Sequence, residues 1–210
     1  LLPVAGYAAR GVLWYQGEND EHHASLYAQL LRTLIRSWRN AWQEELPFLV
    51  VPLAPFDRWL GLNGDHFPEV RRQQEAAVQA TPGCWSTSIM DLGMPYDIHP
   101  KEKKEIARRL ALLASEKVYG IPTMCAAPEL CAALRTAQNT IRLQFRNCTG
   151  GLSAAGDLTD LFQIRQQGRP RYMQRYTVQG DTVELMLEDT DDDALEISFA
   201  EAPYVCVRLY

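Results

Sequence analysis

Four apolar residues in a row, Val12-Leu-Trp-Tyr15, break off at Gln16-Gly-Glu-Asn-Asp20, a cluster of hydrogen-bonding side chains around one glycine. The four do not alternate with polar residues, so they suit a strand covered by helices on both faces rather than one with a wet face. A polar loop leaving such a strand lies at its carboxyl end, where open α/β sheets bind their ligands. A chain with this feature needs covering helices and at least one further parallel strand.

Both follow downstream. Leu26, Leu30, Leu34, Trp38 and Trp42 recur every four residues, and Leu31 and Ile35 widen the stripe, which predicts an amphipathic helix over about 22–43 capped by Asp20. Trp14, Trp38 and Trp42 are expected in the core. Phe48-Leu-Val-Val51, set between Pro47 and Pro52, predicts a second buried strand and completes a βαβ unit. Residues 54–67 read as a cleft-lining loop in which Trp59 and His66 are candidates for the wall. A helix from Pro68 to about Thr81, a strand over Trp85–Met90 and a helix with Pro100 in its first turn come next, the last ended by Gly120 and Pro122.

From about residue 123 helical periodicity gives way to short runs separated by turn residues. Ile141/Leu143/Phe145 and Val183/Leu185/Leu187 alternate as half-buried antiparallel strands do, and about seven strands are expected, the last over Tyr204–Leu209. Glu188–Asp193 reads as a solvated acidic turn. The predicted organisation is an α/β domain over 1–122 and an accessory β domain over 123–210.

A net charge of −5 argues against a broad nucleic-acid-binding surface. No apolar run is long enough for a membrane span; the longest, Leu46–Pro55, is interrupted by Pro47, Pro52 and Pro55. Cys84, Cys125, Cys131, Cys148 and Cys206 form no CxxC pair and have no zinc-like His spacing, so buried free thiols are expected, and His22-His23 reads as a surface pair rather than a metal site. Leu1-Leu-Pro-Val lacks the basic start and apolar middle of a secretion signal, and the compartment stays unknown.

Gly11-Val-Leu-Trp-Tyr-Gln-Gly-Glu-Asn-Asp20 resembles the third block of the sialate O-acetylesterase group, a carbohydrate-esterase branch of the SGNH/GDSL hydrolases. Asp91-Leu-Gly93, then Asp97-Ile-His-Pro-Lys101 and Arg108-Arg-Leu110, resemble the same group's His block, in the same order. The resemblance implies an α/β fold: a partial SGNH-hydrolase three-layer α/β/α parallel sheet followed by a small antiparallel β-sandwich-like domain. It implies removal of O-acetyl groups from sialic acid through an acyl-serine, without metal or other cofactor; acetylated xylan or another glycan is the alternative substrate.

Ester hydrolysis by an activated serine needs a nucleophile, a base, a group that orients the base, and donors for the oxyanion. His99 is the expected base, since imidazole exchanges a proton near neutral pH. Asp97 is its expected orienting partner, with Glu18, Asp91 or a backbone carbonyl as alternatives, because the wider superfamily carries its Asp three residues before the His and Tyr96 stands there. The resemblance places the Gln16 amide at the oxyanion-donor position, and Gly17, Glu18 and Asn19 are expected to bind substrate or brace the loop.

The serine is the missing part. None of Ser25, Ser37, Ser86, Ser88, Ser115, Ser153 and Ser198 has a glycine-rich nucleophile context. The nucleophile block is therefore expected upstream of Leu1, and with it the strand that would cover the first one. Val12–Tyr15 would then form an unpaired edge and favour a homo-oligomer through that strand. A non-catalytic carbohydrate-binding fragment is the reading from a different class.

Overall fold

The computed structural model describes residues 3–188, 190–191 and 193–210, so Asp189 and Asp192 of the expected acidic turn lie outside the described residues. The chain divides into two compact units, one reaching to Ala126 and the other spanning Ala127–Tyr210.

In the first unit, β1 (Val12–Trp14), β2 (Phe48–Val50) and β5 (Cys84–Ser86) form a parallel sheet in the order β1-β2-β5. The centre strand is apolar throughout and wholly buried, and the pleat sends its residues to two opposite cores. Phe48 and Val50 pack with Tyr27, Leu31 and Ile35 of α1 (Tyr27–Trp42) and with Val70, Ala77 and Val78 of α2 (Phe67–Gln79). Leu49 and Val51 pack instead with Ile106, Leu110 and Leu113 of α3 (Lys103–Lys117). Two helices on one face and one on the other give three α/β/α layers. Outermost β1 bonds β2 on one side, and Leu13 is 62% exposed.

Several local expectations are corrected. The helix predicted over 22–43 begins only at Tyr27, because Glu18–Leu26 winds as a kinked 3-10 stretch. Asp20 does not cap it by its side chain; its carboxylate accepts instead from the Gln16 amide. The buried stripe is Tyr27/Leu31/Ile35/Arg39 rather than the row starting at Leu26, and Leu26 and Leu30 are exposed. At 3.6 residues per turn adjacent positions lie about 100° apart, so the row one residue further on faces the sheet while Leu26 and Leu30 face out. Trp14, at the end of β1, and Trp38 and Trp42 on α1 are half-buried, Trp38 meeting Trp14 edge-on and stacking on Trp42.

The helix expected at Pro100 starts later, at Lys103, because the chain first turns at Asp97–His99. The third strand is only Cys84–Ser86, and Arg109 draws the Ser88 carbonyl out of the ladder. All five cysteines are free, but Cys84 alone is buried.

The second unit holds two antiparallel sheets. One has the order β10 (Met173–Gln179), β11 (Thr182–Leu187), β7 (Thr140–Arg146), β6 (Glu129–Ala137); the other has β12 (Leu195–Phe199), β8 (Phe162–Gln166), β9 (Arg169–Arg171). Ile141, Leu143 and Phe145 alternate inward against Val183, Leu185 and Leu187, as their pattern requires. β9 and β10 follow one another in the chain yet belong to different sheets, and Tyr204–Leu209 is no strand: Leu209 makes a single bridge to Ala154. Among the described residues no helix is long and apolar enough to cross a membrane.

Candidate active site

All three parallel strands end at the same edge of their sheet, and each delivers a different part of the site. β1 runs into the Gln16 loop. β2 runs into a buried stretch, Val51–Phe56, and then into a two-residue hairpin of β3 (Arg58–Trp59) and β4 (Leu62–Asn63). β5 runs into the segment that carries Asp91, Asp97 and His99.

Gln16 is held at its backbone carbonyl and at both polar atoms of its side chain. Its Nε2 donates to Asp20 Oδ2 at 2.6 Å, and the second amide hydrogen has no partner among the described residues. The Tyr27 hydroxyl lies 2.7 Å from the Gln16 carbonyl and 3.1 Å from its Oε1, and accepts from Trp14 Nε1 at 3.3 Å. Gln74, fully buried on α2, donates through Nε2 to the same carbonyl at 3.0 Å and accepts through Oε1 from the Leu53 backbone at 2.9 Å. Burial raises the Tyr27 phenol above its usual value, so it stays a neutral donor.

Gly17 sits at φ 149°, and a Cβ there would meet Gln74 Nε2 at 3.2 Å and the Tyr27 ring at 3.3 Å. Only glycine lets the chain cross between these two braces. Glu18 is half-buried. Asn19 is exposed, and its side chain has no hydrogen-bond partner among the described residues. Tyr15 lies beneath Lys103 at 4.9 Å, and burial followed by the Glu18 charge pushes its phenol up to about 12.

The His99 half is built from a tight turn. Asp97 Oδ1 accepts from the His99 backbone N–H at 2.9 Å and lies 3.2 Å from Nδ1 of the same ring. One carboxylate oxygen thus fixes both the backbone and the imidazole. The backbone hydrogen bond from His99 is the largest cause holding the Asp97 carboxyl below its ordinary value, so it is an acceptor at neutral pH. Trp59 meets the His99 ring edge-on, with centroids 5.4 Å apart at 88°. The His99 side chain is 70% exposed, and its Nε2 has no hydrogen-bond partner among the described residues.

Of the alternative partners for His99, Asp91 is committed elsewhere. Its two oxygens take Arg109 Nη1 and Nη2 at 2.7 and 2.6 Å, a bidentate pair that ties α3 to the loop leading to His99. Gly93 completes that anchor: a Cβ there would fall 2.2 Å from the Pro55 carbonyl. Asp91, Gly93 and Arg109 thus tie the His99 loop to α3 and to the stretch after β2, whereas Arg108 pairs only with Glu105 on its own helix. His66 lies by His22, with rings 6.1 Å apart, whereas Trp59 is the wall residue that reaches His99.

Sequence reasoning missed Tyr27 and Gln74. Tyr27 sits in an apolar stripe and looks like core, and Gln74 is one polar residue among several on its helix. Nor does the geometry nominate a serine: Ser86 Oγ donates to Glu75 at 3.1 Å, Ser88 Oγ accepts from the Met90 backbone, and neither contact involves His99. No group of His, Cys, Asp and Glu able to hold a metal occurs among the described residues.

Comparison with known proteins bears on the whole arrangement. A family profile described as "Carbohydrate esterase, sialic acid-specific acetylesterase" matches residues 4–111. The rat Sialate O-acetylesterase (Rattus norvegicus) is 31% identical over 137 residues, taking in 56% of this chain and 25% of its own length. The human Sialate O-acetylesterase (Homo sapiens) is 29% identical over 136 residues, with 56% and 26% covered. A crystal structure of a carbohydrate acetylesterase from Xanthomonas citri superposes with a TM-score of 0.78 at 28% identity, over 99% of this chain and 49% of that one. The chain thus spans about a quarter of the length of these curated relatives and about half of the solved one.

Proposed function

This chain belongs to the sialic acid-specific acetylesterase family of carbohydrate esterases, and on that premise we propose that it supplies the base and the oxyanion donor for removing O-acetyl groups from sialic acid. The observation that carries the reading is the His99 ring, oriented on one side by Asp97 and presenting an unpartnered nitrogen on the other.

In this reading His99 Nε2 takes the proton of a serine hydroxyl as its oxygen attacks the acetyl carbonyl. Asp97 keeps the ring in one orientation and stabilises the imidazolium that forms. The free hydrogen of Gln16 Nε2 donates to the tetrahedral oxyanion, and collapse returns the proton to the departing sugar oxygen. Water, activated by His99, then releases acetate and restores the serine. Asn19 contacts the sugar, while Gly17 and Glu18 support the loop. The serine itself is left unassigned.

Release of acetate from an O-acetylated sialic acid by the natural gene product that contains this sequence tests the roles. His99→Ala is expected to lower kcat/KM about a thousandfold or more, and Gln16→Ala about a hundredfold. Unchanged turnover in His99→Ala would remove it as the base.

A further inference from the structure

The hairpin beside His99 carries features that the hydrolytic steps leave unused. Its two-residue turn is Leu60-Gly61, with φ of 47° and 85°. Left-handed backbone at both corners suits Asn-Gly, and a leucine there is strained. Its side chain gains no burial in return, being 81% exposed. Strain without burial on an exposed turn next to a reacting group is the pattern of a segment kept for contact with a ligand.

The hairpin also holds a guanidinium with its fork open. Arg58 lies over the exposed Tyr96 ring at 5.7 Å, and its Nε is 3.3 Å from Asp57 Oδ2. Neither Nη has a partner among the described residues, and the side chain is 70% exposed. Its backbone is rigidly placed, because the Asp57 and Arg58 N–H groups both donate to the Pro95 carbonyl, at 3.3 and 3.0 Å. Pro95 and Tyr96 lead directly into Asp97 and His99. Arg58, Trp59, Leu60, Leu62 and Tyr96 line a depression of about 480 Å³, within the range that holds a sugar.

We propose that Arg58 reads the carboxylate of a sugar acid lying in this depression, so that the site selects acetylated sialic acids over neutral acetylated sugars. The proposal rests on the esterase reading above. The two Nη groups form a bidentate fork matched to a planar carboxylate. Tyr96 and Trp59 offer faces and edges to the sugar ring, and Leu60 covers it from the turn. Asp57 is a weak competitor, since it engages only Nε.

Titration of the natural gene product that contains this sequence with the methyl glycoside of N-acetylneuraminic acid and with its neutral methyl ester, followed through the His99 imidazole resonances by NMR, tests it. The acid is expected to bind about tenfold more tightly than the ester. Arg58→Gln removes that difference without changing the ester's affinity, and Asp57→Asn enlarges it. Arg58 is exposed and Asp57 half-buried, and unchanged thermal melts check the fold of both variants. Equal binding of acid and ester with the His99 resonances shifting in both cases would overturn the carboxylate role and leave the esterase reading standing. Tight binding that leaves His99 unmoved would overturn both.

Discussion

Gln16 and His99 leave the same sheet edge, yet Gln16 is gripped by Asp20, Tyr27 and Gln74 while His99 hangs on one carboxylate two residues away. Two of the braces on Gln16, Tyr27 and Gln74, come from 11 and 58 residues away and are buried, and the half-buried Asp20 is local; the His99 side chain is mostly exposed. The difference follows the demands of the two tasks. An oxyanion donor works by being fixed before charge develops, since any reorganisation at that moment weakens it. A base must take a proton at one point and release it at another, and a ring with one anchored nitrogen and one open nitrogen does both.

If rigidity is concentrated around Gln16, stability should respond there and hardly at all at His99. Gln74→Ala has the largest expected effect, because it strips partners from the buried Leu53 N–H and the Gln16 carbonyl together; a loss of about 2–4 kcal/mol in denaturant unfolding is expected. Tyr27→Phe keeps the ring and loses the hydroxyl's contacts to Gln16, for about 1–2 kcal/mol in the same assay. An equal loss of activity and stability in both variants would tie the network to catalysis only through folding. A larger loss of activity would mark it as positioning Gln16.

Glu21 sharpens the contrast from the opposite side. It is buried on the Gln16 loop, its Oε2 has no hydrogen-bond partner among the described residues, and burial raises its carboxyl above the ordinary value of 4.5. A raised folded value means the favourable protonated form is held below pH 4.5, and stability is lost as pH rises through the folded value. Glu21→Gln should therefore be the more stable protein at neutral pH, by less than about 1 kcal/mol, and should lose that advantage below pH 4.5. Unfolding curves at the two pH values check the sign. The smallest effect belongs to His99→Ala, expected within about 0.5 kcal/mol of wild type despite its loss of turnover.

Legibility in the sequence followed the same division. The parallel-strand reading of Phe48–Val51 needed only an unbroken apolar run, and the alternation at Ile141–Phe145 and Val183–Leu187 gave those strands' inward faces directly. The Asp97–His99 turn is local in the chain, so the resemblance of Asp97-Ile-His-Pro to the family's His block was enough to suggest it, although the two-residue spacing kept other partners open. The Gln16 brace was hidden because its members are 11 and 58 residues away and meet only once the helices have packed. Helix phase was misjudged by one residue for a related reason: apolar spacing marks a stripe, while the sheet decides which edge of the stripe is covered.

The most direct test of the two-part site is the rate at which a fluorophosphonate labels the natural gene product, measured by intact mass for wild type, His99→Ala and Gln16→Ala. Both substitutions are expected to slow formation of the serine adduct by about a hundredfold or more, since phosphonylation uses the same base and oxyanion donor. Labelling at the wild-type rate in either variant would contradict the role assigned to that residue.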